Sequence, residues 1–145
     1  MRLIFQLDLP HVFRVGSSDE DNAMALEAML EALIAANMVF LKRNPRTPKL
    51  YQSGVRYART TVWLSIPSLY ALGRGDCKSL TAALVAEERM AGRQAKPVFR
   101  PIFNKKKGMN DFHILVQTPY GYEDPSRKLG MDQYFAQQRV TAYPR

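Results

Sequence analysis

A chain of 145 residues, 46% hydrophobic and 23% charged, is long enough to bury one good core and too short to suggest two, so a single domain over residues 1–145 is expected. The 21 Lys and Arg against 13 Asp and Glu leave a formal charge of +8. These basic residues are dispersed, with two small clusters at 42–49 and 105–107 and no nucleic-acid-binding motif, so specific nucleic-acid binding is not expected.

From the N-terminus, Leu3, Phe5, Leu7 and Leu9 alternate with other residues, and 11–15 continue the extended pattern after Pro10, predicting an opening strand or bent pair of strands. No signal-peptide cleavage pattern accompanies this segment, and no apolar run approaches the roughly 18 residues of a membrane span, so a cytoplasmic protein without a membrane partner is expected. Ser17 and Ser18 before Asp19, Glu20 and Asp21 form a capped, dipole-matched helix start. Met24, Leu26, Met29, Leu30, Leu33, Ile34, Met38 and Leu41 then recur at helical spacing and predict one wide apolar face. Residues 44–61 read as a long connection, of the kind that tends to be functional when ordered. A short helix is predicted over 63–72, with Pro67 in its first turn and Gly73 and Gly75 breaking it.

The next segment, Gly-Arg-Gly-Asp-Cys-Lys-Ser-Leu, is a glycine-rich turn running into a helix from Cys77 to about Ala91, stopped by Gly92. Cys77 is the single cysteine, which excludes an internal disulfide and fits a reducing compartment. At a helix start its sulfur faces unpaired N–H groups and the positive dipole end, with Lys78 and Arg74 nearby, surroundings that activate thiols. Asp76, expected as N-cap, works partly against this. Positions 77, 80, 81, 84 and 88 share one side, so the thiol should emerge at the rim of the core. Strands follow at 98–103 and 111–118, joined by a turn at 104–108. His113 shares a face with Leu115 and Gln117, opposite Phe112, Ile114 and Val116. A turn at 119–122 leads to Glu123-Asp124, and 129–138 reads as a last helix.

A cysteine nucleophile needs a base within hydrogen-bond reach and a partner that orients that base. His113, placed mid-strand, and Asp124, returned alongside by the hairpin, can supply both. Asp111 lies on the same strand face as His113 and competes with Asp124 for the second part. Cys77 and His113 have too few suitably spaced partners for a metal site, so no metal and no cofactor is expected.

Three segments together, Gly-Asp-Cys-Lys-Ser-Leu-Thr-Ala-Ala-Leu, Asp-Phe-His-Ile-Leu-Val and Glu-Asp-Pro-Ser, resemble the Cys, His, Asp core of the transglutaminase-like family within the papain-like cysteine peptidase fold. The chain is similar in particular to small transglutaminase-like proteins of tailed bacteriophages and prophages, through Tyr-Gln-Ser-Gly-Val-Arg-Tyr before Trp63 and Leu129-Gly130-Met131 after Asp-Pro-Ser. The resemblance spans about 50–131. It implies an α+β domain with helices packed on a small antiparallel sheet and the nucleophile at the N-terminus of a central helix. It further implies Cys77 as nucleophile, His113 as general base and acid, and Asp124 as orienting carboxylate. The interval from His113 to Asp124 is shorter than the family often shows, which implies a tight hairpin. The Cys77 N–H is expected in an oxyanion hole, with Gln52, Tyr51 or Trp63 as candidates for the second donor.

The function implied is a cysteine hydrolase of amide or peptide bonds, or an acyltransferase, working through a thioester. It would be phage- or prophage-encoded, act on protein or peptide substrates such as phage structural proteins, and reside in the host cytoplasm or with the virion. The alternative is a non-enzymatic virion structural or interaction protein that retains the fold.

Overall fold

The structure, a computed structural model, describes residues 6–142, with side chains described as far as residue 138. The predicted opening strand is corrected for its described part: residues 6–9 have no regular structure and 10–16 form turns and bends, while residues 2–5 lie outside the described residues. Neither sheet among the described residues offers this segment a partner, and Pro10 has no N–H for a ladder. The segment is instead tied to the first helix, where Asn22 Oδ1 accepts from the Phe13 N–H at 2.7 Å.

That helix, α1, runs Asp19–Arg43, and its cap is as the sequence implies, with Ser18 Oγ accepting the Asp21 N–H at 3.1 Å. Its buried line is narrower than predicted and partly polar: Asn22, Leu30, Ile34 and Asn37 are buried, whereas Met24 is 64% exposed. Asn37 is buried because its Oδ1 accepts the Ile66 N–H at 2.8 Å, which anchors the start of the second helix. Contrary to expectation, α1 is long and apolar enough, by length and composition alone, to cross a membrane. In this fold its buried line packs against a neighbouring helix.

Strand β1, Arg56–Tyr57, pairs in parallel with β2, Arg74–Gly75, and α2, Ile66–Leu72, lies between them in sequence. Trp63 and Leu64 precede α2 rather than join it, because the Leu64 N–H donates to Ser79 Oγ at 2.9 Å. Gly73 ends α2 at φ 74°, as its type permits. Gly75 is required by close approach, since a Cβ there would stand 2.5 Å from Leu69 Cδ1.

Helix α3, Cys77–Met90, is the centre of the molecule, and every residue from 79 to 87 is buried. A single buried stripe is the sequence expectation; burial on all sides follows because α1 covers one side and the larger sheet the other. Full burial of Leu80 removes a leucine side chain from water, about 2 kcal/mol. Its polar residues are satisfied by neighbouring elements. Thr81 Oγ1 donates to the Ile114 carbonyl at 3.1 Å, and Glu87 accepts the Leu50 N–H at 2.6 Å and the Tyr70 hydroxyl at 3.3 Å.

The larger sheet is antiparallel with order β3 (Lys96–Asn104), β4 (Met109–Thr118), β5 (Gly121–Glu123). Asn104 Oδ1 receives the Lys106 and Lys107 N–H groups in the first turn. The helix predicted over 129–138 is α5, Met131–Ala142, and a short helix that the sequence did not signal, α4, Pro125–Lys128, precedes it, with Gly130 between them at φ 100°. Tyr134 and Phe135 of α5 pack on Tyr57, at centroid distances of 5.4 and 5.8 Å. The architecture is α+β.

Candidate active site

The sequence places a polar cap and a glycine turn before Cys77, and the result is a helix whose first residue is the cysteine. Its N–H has no intrahelical acceptor. Asp76 Oδ1 receives the Lys78 N–H at 3.3 Å. The Lys78 ammonium, expected as a cation beside the sulfur, is ion-paired with Asp76 and donates to the Thr60 carbonyl at 3.2 Å. Cap and cation therefore offset one another. Cys77 itself is half-buried, packed against the core at its rim.

His113 extends from β4 toward the sulfur, close enough for Cys77 to act on the charge of its imidazole. Its Nε2 lies 2.7 Å from Asp124 Oδ2. The hairpin register explains how a short interval suffices. Glu123 pairs with Val116, so the next residue, Asp124, comes opposite Leu115 and on the same face as His113, two residues away. A diagonal separation of about 7–8 Å is spanned by imidazole and carboxylate together. Asp124 is also the N-cap of α4, its Oδ1 accepting the Arg127 N–H at 3.2 Å, which fixes the carboxylate.

These contacts set the charges. The hydrogen bond to Asp124, then the nearby Cys77, pushes the His113 imidazole up to about 9 against the opposing effect of burial. Burial pushes the Asp124 carboxyl up, but the hydrogen bond and charge of His113, with the Arg127 N–H, outweigh it and hold the group below its ordinary value. With Nε2 given to Asp124, Nδ1 is the ring nitrogen left to exchange a proton with the thiol. The side chains of His113 and Asp124 are 16% and 21% exposed, dry enough to strengthen the pair and open enough to be reached.

Asp111 is occupied elsewhere: Asn104 Nδ2 and Lys107 Nζ donate to it at 2.6 and 2.8 Å. Tyr51 flanks the acid rather than the sulfur. Its hydroxyl donates to Glu123 Oε1 at 2.8 Å and its ring lies 5.0 Å from Lys128 Nζ, bracing the residue before Asp124. Burial, then Glu123, pushes that phenol well above its ordinary range. Gln52 is exposed on a 3₁₀ turn, Leu50–Gln52, and hydrogen-bonds to none of the three residues; Trp63 is half-buried against the core ahead of α2. A residue the sequence reading passes over is Tyr57. Burial first, then the nearby Cys77 and Asp76, pushes its phenol up to about 12, so it lies within electrostatic reach of the sulfur. As the second residue of a two-residue strand, it carried no spacing signal for this.

A shallow cavity of about 370 Å³ adjoins the acid, lined by Tyr122, Glu123, Asp124, Arg127 and Lys128 among others. A larger one, about 640 Å³, lies at the far end of α3 around Arg89, Arg93 and Lys96 and contains none of the three residues. Of the three residues only Asp124 lines the first cavity, so the site is located by its side chains and not by either cavity. Among the described residues no group of three or more His, Cys, Asp or Glu side chains is arranged to hold a metal ion. Set against protein-family models, curated proteins and solved structures, the chain matches none.

Proposed function

We propose that this chain is a cysteine-dependent hydrolase of amide or peptide bonds, or an acyltransferase, with the papain-like, transglutaminase-like arrangement that its motifs resemble. The observation that carries the reading is the His113–Asp124 hydrogen bond at 2.7 Å beside a cysteine that opens a central helix and acts on the charge of that imidazole. In this mechanism His113 takes the Sγ proton at Nδ1, and the sulfur attacks the substrate carbonyl carbon. The oxyanion is met by the Cys77 N–H at the positive end of α3. His113 then gives its proton to the leaving amine as the C–N bond breaks, leaving a thioester on Cys77. Water, or an acceptor amine, loses a proton to His113 and attacks the thioester, and the proton returns to sulfur. Asp124 holds the ring and stabilises its charged form throughout.

Hydrolysis is the favoured outcome, because the site is open enough for water to reach it, the His113 and Asp124 side chains being 16% and 21% exposed. The setting we assign is a phage or prophage, with protein or peptide substrates such as virion components, in the host cytoplasm or on the virion. Iodoacetamide alkylation near pH 6 tests the catalytic pair. Cys77 in the wild-type chain should react much faster than in His113→Ala, and mass spectrometry of a substrate-treated protein should find an acyl adduct on Cys77 that Cys77→Ser lacks. Equal, slow alkylation in both would favour a structural or interaction protein that retains the fold.

A further inference from the structure

The face of the sheet that carries His113 also carries an arginine that the mechanism leaves unused. Arg100 pairs directly with His113 across β3 and β4. Cross-strand partners leave the same face with Cβ atoms about 5 Å apart. The Arg100 guanidinium then lies over the ring of Tyr122, 5.2 Å from its centroid. Tyr122 comes two residues before Asp124 and shares its face. The arginine therefore stretches from β3 toward β5 beside the imidazole and its carboxylate, held in place by an aromatic ring.

Four other cations around the triad stand against carboxylates, and Arg59, like Arg100, is set over an aromatic ring but does not pair across the sheet with His113. Lys78 is paired with Asp76 and Lys107 with Asp111; Lys128 meets Glu123 at 2.6 Å; Arg127 Nε stands 3.9 Å from Asp124; Arg59 lies over Phe135. Among the described residues Arg100 meets no carboxylate within 4.0 Å, and it is exposed. A guanidinium fixed on one side and lacking an acid presents a planar fork that suits a carboxylate in two-pronged fashion.

We propose that Arg100, braced by Tyr122, is a carboxylate subsite of the Cys77 centre, so that its preferred substrates carry a carboxylate beside the scissile amide, from an acidic side chain or a free C-terminus. The inference rests on Cys77 and His113 being the reacting pair. Two alkylating reagents of like size and different charge test it: iodoacetate is anionic, iodoacetamide neutral, and both alkylate Sγ with loss of iodide. At low salt, the iodoacetate-to-iodoacetamide rate ratio at Cys77 should fall about threefold in Arg100→Gln, the size of one partly solvated charge contact. It should fall less in Tyr122→Leu, which only frees the guanidinium, and stay unchanged in Lys105→Gln, which removes the same charge at the hairpin turn. A ratio equal in wild type and Arg100→Gln overturns the subsite. Failure of the catalytic pair is read separately, as an iodoacetamide rate indifferent to His113. Protection identifies the source of the carboxylate. Slowing of iodoacetamide alkylation by N-acetylglutamate α-amide assigns the side chain, and slowing by N-acetylalanylalanine assigns the terminus, in each case abolished by Arg100→Gln. No slowing by either compound, or slowing that survives Arg100→Gln, counts against the subsite.

Discussion

Helices α1 and α3 lie against each other, and the richer of the two in aliphatic side chains is the less buried. α1 exposes Met24 and Val39 and buries two asparagines, whereas α3 is enclosed from 79 to 87 and carries a serine, a threonine and a glutamate inside. Position between two layers, not hydropathy, decides which helix forms the centre. The buried polar groups of α3 fasten it to each layer: Ser79 to Leu64, Thr81 to Ile114, Glu87 to Leu50. Cys77 and β4 are thereby held in one rigid unit, which a nucleophile and its base require.

Substitutions should separate the two helices sharply. The largest effect is expected inside α3, where Leu80→Ala leaves a cavity beneath the site and should cost about 3 kcal/mol by urea denaturation. Next comes a pH effect belonging to α3 and β4 together. His113 titrates at about 9 when folded against 6.5 as its ordinary value, so its contribution is complete below pH 6.5 and lost as pH rises through 9. Asp124, held below its usual 3.8, contributes above that value and loses its contribution as pH falls through its lower folded value. Stability should therefore decline between pH 6.5 and 9 by on the order of 2 kcal/mol, and urea midpoints across that range should show the decline flattened in Asp124→Asn. Thr81→Val strands the buried Ile114 carbonyl and should cost about 1–2 kcal/mol. Met24→Ala on α1 should change stability by no more than about 0.5 kcal/mol, and a loss comparable to that of Leu80→Ala would erase the contrast between the helices.

Much of this was legible in sequence, for local reasons. Ser18 with its acidic neighbours, Pro67, Gly73 and Gly92 mark helix ends through backbone chemistry that acts within a turn. The proximity of His113 and Asp124 follows from a hairpin whose register is short-range. Other features depend on distant partners and left no periodic trace. The alternation in 6–15 promised a strand that no neighbouring strand receives. Tyr51, a candidate oxyanion donor by sequence, braces Glu123 instead, because the turn at 50–52 is pinned to Glu87 far along α3. Arg100 was invisible until the β3–β4 register set it opposite His113. Ser79 and Glu87, off the side that 77, 80, 81, 84 and 88 share, read in sequence as solvated, and the burial of Ser79, Thr81 and Glu87 follows only from partners on other elements.

The central claim is that sulfur, imidazole and carboxylate behave as one proton-exchanging unit, and nuclear magnetic resonance titration of His113 tests it most directly, with His11 as the second histidine signal for reference. A midpoint near 9 in the wild-type chain is expected, falling when Cys77 is replaced by serine and falling further in Asp124→Asn. A wild-type midpoint near 6.5 that neither substitution moves would contradict the account.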